Sequence, residues 1–277
     1  MTLRAATRGD VDRVELVEGY GIRWRGAGRG PLLVWAHDAF ASVDDDDNDR
    51  ADHLVDLQRL TSTNRVVRFD AVGHGRSAGV FDPADHEWTA RGATLVDLAH
   101  RLELPRFAAG GTGAGAAAAL HAAVRAPGRV DRLVLVAPTT DWNVPGPVQR
   151  LPRPVGLGLL VGAAEPLRLL GRCAPLPPAR DPVSRYRAAG FRRLVEAPRN
   201  RFNAVLIGAA RSAWPEADEL AALDIPVLVL ALRGDPVHPV RTAVHLADEL
   251  PGARLEVAAD SDEVAAWTER IAAFLAE

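Results

Sequence analysis

The chain has 277 residues, 48% of them hydrophobic and 25% charged, with a formal net charge of −3, which suits one globular domain with a sizeable core. All 33 basic residues are arginine, so Schiff-base, P-loop and Ser-x-x-Lys chemistry, each of which needs a lysine, is excluded. The single cysteine, Cys173, excludes an intramolecular disulfide and any cysteine-rich metal site. Arginine without lysine, beside so much alanine, reads as compositional drift of the genome. The first twenty residues are mixed and charged and lack the apolar core of a signal peptide. The longest central apolar stretch, residues 155–164, is about half a membrane span and is closed by Glu165 and Pro166. A cytoplasmic protein without a membrane span is therefore expected. No basic block and no basic–aromatic interleaving points to nucleic acid.

In chain order, Val11, Val14, Leu16 and Val17 alternate as a strand does, and a Gly19–Gly21 turn leads to a second strand at 22–24. The apolar run at 31–36 has the signature of a strand buried on both faces. A helix is expected through Ala51, Leu54, Val55, Leu57 and Leu60, then a strand at 65–69. A helix at 93–102 leads to a strand at 106–109, a glycine-rich turn and an alanine helix at 114–125. Further strands are expected at 132–136, 226–230 and 255–257, with a closing helix at 263–275. Strands alternating with helices imply a mostly parallel central sheet flanked by helices.

Residues 141–214 break this rhythm. They hold ten of the twenty prolines, and twelve arginines against four acids, a net of +8 that leaves −11 for the rest of the chain. The expected organisation is a core at 1–140 and 215–277 interrupted by a Pro- and Arg-rich insertion at 141–214.

Five segments in order resemble the α/β-hydrolase superfamily. PLLVWAHDAF (31–40) resembles its third strand and His-Gly oxyanion loop; RVVRFDAVGHGRS (65–77) resembles the next strand and its Asp-x-x-Gly-His-Gly-x-Ser turn. Residues 106–123 resemble the strand, elbow and helix that present the nucleophile, and 132–138 and 226–239 resemble later strands. The resemblance implies an α/β-hydrolase fold with 141–214 as its lid. It places Asp235, in GDPVHP, at the catalytic acid.

Against that pattern, three parts of the Ser-His-Asp chemistry are altered. The elbow, normally Gly-x-Ser-x-Gly, reads Gly110-Gly111-Thr112-Gly113-Ala114-Gly115. One register puts Gly113 at the nucleophile, the other Thr112; the first fits better, because Ala119, Leu120 and Pro127 then align. The loop after the last strand, 258–263, has no histidine, and none of the eight lies beyond His245. His238, three residues past Asp235, could line the same rim or be a surface residue. Asp38 stands where the oxyanion loop has glycine. Its carboxylate either opposes the negative charge such a site stabilises or faces solvent. The backbone N–H groups of Ala39 and Ala114 are the implied oxyanion donors.

His74 reads as a structural hydrogen-bonding residue, and Cys173 as packing. The acidic run at 44–47 reads as carboxylates at a helix N-terminus rather than a calcium loop. No metal and no cofactor are expected. The first expectation is a pseudoenzyme that binds a small acyl-type or apolar ligand, or a partner. The +8 insertion points to an anionic one, although arginine drift on a solvated surface explains the charge equally well. The alternative is an active ester hydrolase, lyase or cyclase using Thr112, or Asp38, Asp235 and His238.

Overall fold

The computed structural model describes residues 11–46, 53–140, 162, 166, 168–173, 181–235 and 237–277. The strands are β1 (Val11–Val17), β2 (Tyr20–Ala27), β3 (Leu32–Ala36), β4 (Arg65–Phe69), β5 (Phe107–Thr112), β6 (Val130–Val136), β7 (Val227–Leu232) and β8 (Ala253–Ala258). They form one eight-stranded sheet in the order β1-β2-β4-β3-β5-β6-β7-β8. The β1–β2 and β2–β4 pairs are antiparallel and the other pairs parallel. This is an α/β-hydrolase fold.

Helices α1 (Val43–Asp46), α2 (Leu57–Leu60), α3 (Trp88–Arg101) and α4 (Ala114–Arg125) precede β6. Between β6 and β7 lie α5 (Pro182–Glu196), α6 (Arg199–Arg211) and α7 (Ala217–Ala221). Then come α8 (Val240–Glu249), α9 (Ser261–Ala265) and α10 (Trp267–Ala276). The parallel strands are buried on both faces: Leu33, Val34, Leu133, Val134, Leu135 and Val229 have no exposed surface. One apolar cluster packs α3, α4 and α8 on one face, and a second packs α2 and α10 on the other.

Four elements differ from the sequence expectation. The helix expected through Ala51 and Leu60 is only α2 within the described residues, because Asp56 caps it by accepting from Arg59 N. Helix α3 begins at Trp88, five residues early, where Trp88 N donates to Ser212 Oγ 2.9 Å away. The expected glycine-rich turn is instead the end of β5: Gly110 is needed because a Cβ there would lie 2.9 Å from the Trp35 ring. The closing helix is split at Ala266 into α9 and α10. Most prolines of 141–214 lie outside the described residues. Among the described residues, no helix is long and apolar enough to cross a membrane.

Candidate functional site

The sheet order reverses between β3 and β5, since β4 lies to one side of β3 and β5 to the other. Loops leaving the carboxyl ends of β3 and β5 therefore diverge and leave a crevice, the usual place for a site in such sheets. Ala36 pairs with Gly111 in register. Two residues beyond each lie Asp38 and Gly113, so the topology brings them together.

Gly113 has φ 57° and ψ −118° at the junction of β5 and α4. The neighbouring glycines serve close approach: a Cβ on Gly115 would lie 2.0 Å from Ala36 O. A Cβ on Gly113 would lie 2.1 Å from Asp38 Oδ1, so the Asp38 carboxylate fills the space in front of the elbow. Asp38 Oδ1 accepts from Ala39 N at 2.7 Å and from Ala114 N at 3.1 Å. Both backbone donors named from the sequence thus converge on one point, and a carboxylate of the same chain holds it.

Tyr186 of α5 was not foreseen. Its hydroxyl lies 3.5 Å from Asp38 Oδ2, at the outer limit of a hydrogen bond. Burial first, then the Asp38 and Asp235 carboxylates, raise the Tyr186 phenol well above its ordinary value, so it stays protonated. Asp235 turns its Oδ1 to Val237 N and His238 N, capping its own loop. Its Oδ2 stands 3.5 Å from His238 Nδ1, an ion-pair distance without hydrogen-bond alignment. Burial disfavours the His238 imidazolium, but Asp235 and Asp38 outweigh it and raise its pKa. Burial likewise works against the Asp235 anion, and His238 with the two backbone donors more than offsets this. Asp38 and Tyr186 thus meet before Gly113, and the Asp235–His238 pair is near enough for charge to act between the two pairs.

Thr112 lines a small cavity with Trp35, His37, Asp38, Tyr186 and Arg193. Its volume is about 30 Å³, room for a single water. Among the described residues the Thr112 hydroxyl meets no base.

Beneath Asp38 the oxyanion loop is pinned by buried donors. Ala71 N donates to His37 Nε2 at 3.0 Å, leaving the His37 Nδ1 hydrogen for Asp38 O at 2.6 Å. Arg91 Nη2 donates to His37 O at 2.6 Å. His74 lies between Val72 O and Ala39 O, at 3.0 and 2.8 Å. Burial first, then the Arg91 charge among others, holds His37 and His74 well below the ordinary histidine value. His86 is lowered to about 4, again by burial and then by Arg91 and Arg201.

An unfolded histidine protonates near pH 6.5, whereas folded His86 stays neutral down to about 4, so acid favours unfolding across that interval. The contribution is complete above pH 7 and lost as pH falls, with a ceiling of about 3 kcal/mol for His86. Thermal melts from pH 7.5 to 4.5 should show a falling midpoint, with a shallower fall in His86→Leu.

The acidic run expected at a helix start does open α1, and its charges are paired: Asp44 with Arg23 and Arg76, Asp45 with Arg193. Cys173 is free and exposed, so it does not pack in the core. No group of three or more His, Cys, Asp or Glu among the described residues is arranged to hold a metal ion.

The family model for Serine aminopeptidase, S33, matches residues 48–260, more than three quarters of the chain. The chain belongs to that family. A curated relative, the "Putative carbamate hydrolase RutD" of Caulobacter sp. (strain K31), is 32% identical over 212 residues, covering 73% of this chain and 75% of the relative. Among solved structures, a hydrolase from Pseudomonas aeruginosa PA01 superposes with a TM-score of 0.71 at 22% identity, covering 96% of this chain and 98% of the other. An esterase from Exiguobacterium antarcticum does so with a TM-score of 0.75 at 17% identity, covering 96% and 100%. These likenesses establish the fold. The signals for Tyr186 and Arg91 were faint: one of two tyrosines, in a Pro-rich insertion, and one arginine among 33.

Proposed function

We propose that this family member has lost acyl-enzyme chemistry and acts as a binding protein on a hydrolase scaffold. The observation that carries the reading is Asp38 Oδ1 held by Ala39 N and Ala114 N, at 2.7 and 3.1 Å, directly before Gly113. A tetrahedral intermediate needs those two donors free, and a fixed carboxylate there opposes its negative charge. Gly113, at the nucleophile position, supplies no attacking atom. The loop after β8, where the resemblance places the catalytic histidine, carries Asp260, which caps α9 through Asp262 N and Glu263 N.

In this reading residues 141–214 form a lid whose α5 closes the crevice with Tyr186. A small acyl-type or apolar ligand would enter as α5 withdraws, since the cavity beside Thr112 admits only about one water. Several lid arginines serve as fasteners: Arg187 donates to Gly234 O, and Arg193 pairs with Asp45. The +8 charge is thus partly spent within the molecule.

The test is turnover of p-nitrophenyl acetate and butyrate by the purified protein, beside labelling by a fluorophosphonate probe. Neither turnover above buffer nor labelling is expected, in the native chain or in Thr112→Ala. Clear native turnover that Thr112→Ala abolishes would overturn the reading.

A further inference from the structure

Strand β1 is one edge of the sheet, and among the described residues its outer side pairs with no other strand. Seven residues long and free of proline, it lacks two usual guards against edge pairing. The direction of its backbone groups follows from β2. Val14 stands opposite Arg23, and Leu16 opposite Gly21. Arg23 turns its backbone away from β1: its N–H donates to Ser77 Oγ at 2.8 Å, and its carbonyl accepts from Asp70 N at 2.9 Å. Gly21 O likewise accepts from Ala78 N at 2.8 Å. Residues opposite such groups in an antiparallel ladder face outward too, so Asp12, Val14 and Leu16 present N–H and C=O at the open edge. The Val14 and Leu16 side chains are 59% and 62% exposed, on the sheet face opposite the one that buries Val17.

The charges on this strand are self-complementary. Arg13 and Glu15 flank Val14 with opposite signs, and neither is committed to an ion pair among the described residues. At the other edge of the sheet the β8 charges are engaged, Arg254 with Glu277 and Glu256 with Arg270. A second β1 laid antiparallel, with Val14 opposite its own equivalent, sets Arg13 of each chain against Glu15 of the other. The outward groups of residues 12, 14 and 16 then meet in hydrogen-bonded pairs, and both copies' Val14 and Leu16 side chains form one apolar strip. Shifting the copy by two residues keeps the bonding phase but puts Arg13 against Arg13, or Glu15 against Glu15. Like charges directly opposite disfavour both of those registers.

We propose that β1 is a homodimer interface, at which two copies of this chain join their sheets edge to edge. The two-fold axis passes at Val14, and the crossed Arg13–Glu15 pairs fix the register. Strands β2, β4 and β3 separate this edge from the Gly113 elbow on β5. Ester turnover by the native protein would overturn the preceding reading and leave this one standing.

The experiment is sedimentation velocity at pH 7.5 and low ionic strength, at concentrations up to about 100 µM. The native 29.6 kDa chain should form a reversible dimer. Arg13→Glu and Glu15→Arg should each fold, since neither side chain is buried, and each should weaken dimerisation about tenfold or more. Mixed in equal amounts, the two variants should pair with one another as the native chain does, because each then meets the opposite charge. In a Cys173→Ser background, Val14→Cys should form a disulfide-linked dimer on mild oxidation, whereas Leu16→Cys should not. A native chain that stays monomeric throughout would refute the interface. So would a dimer that neither charge variant weakens, a mixture that fails to restore pairing, or cross-linking at 16 as ready as at 14.

Discussion

Gly113→Ser is expected to destabilise the protein by roughly 2–4 kcal/mol, and Asp38→Gly in the same chain to recover most of that loss. The cost has two parts. At φ 57° a side chain is strained whatever surrounds it, and the new Cβ would lie 2.1 Å from Asp38 Oδ1. Removing the carboxylate eliminates the second part and frees Ala39 N and Ala114 N together. Urea unfolding of the two single variants and the double variant measures the coupling directly. Additive effects would mean that Asp38 swings aside freely, and the blocked elbow would no longer support the proposed loss of acyl-enzyme chemistry.

Asp70→Ala should cost about 3–5 kcal/mol, the largest loss expected from any single truncation described for this chain. Asp70 is fully buried at the end of β4. It accepts from Val43 N at 2.7 Å and from Arg76 N at 2.9 Å, and it pairs with Arg23 Nη1 at 3.3 Å. Arg23 is itself 2% exposed and also holds Asp12 and Asp44 at 2.7 and 2.8 Å. Truncation would leave two backbone donors and part of a buried guanidinium unsatisfied, joining losses at β2, α1 and the turn after β4. Asp12→Ala, at the exposed end of the same network, should cost about 1 kcal/mol or less. Guanidinium chloride midpoints that rank the two variants equally would contradict a buried hub.

Much of the fold was legible because its strands are short apolar runs bounded by turn residues, as at 65–69 and 114–125's preceding strand. The reversal between β3 and β5 was legible only through the resemblance, since strand order leaves no mark on local periodicity. The elbow was legible as a glycine cluster, and Asp38 as a departure from pattern. What the Asp38 carboxylate does was not, because its partners, Ala39 N and Ala114 N, are backbone groups 76 positions apart at the farther one. Tyr186 was hidden for a similar reason: its partner lies 148 positions away. The Ser212 cap on α3 and the His37–His74–His86 row likewise arise only from tertiary packing.

Arg168 settles how the insertion can behave mechanically. Its Nη1 donates to Val195 O at 3.1 Å and Ala197 O at 3.0 Å, the last carbonyls around the end of α5. Its guanidinium carbon also lies 5.3 Å from the Phe202 ring centroid, in the first turns of α6. One buried cation thereby welds the corner between the two helices. It ties the end of α5, the helix that carries Tyr186, to the first turn of α6.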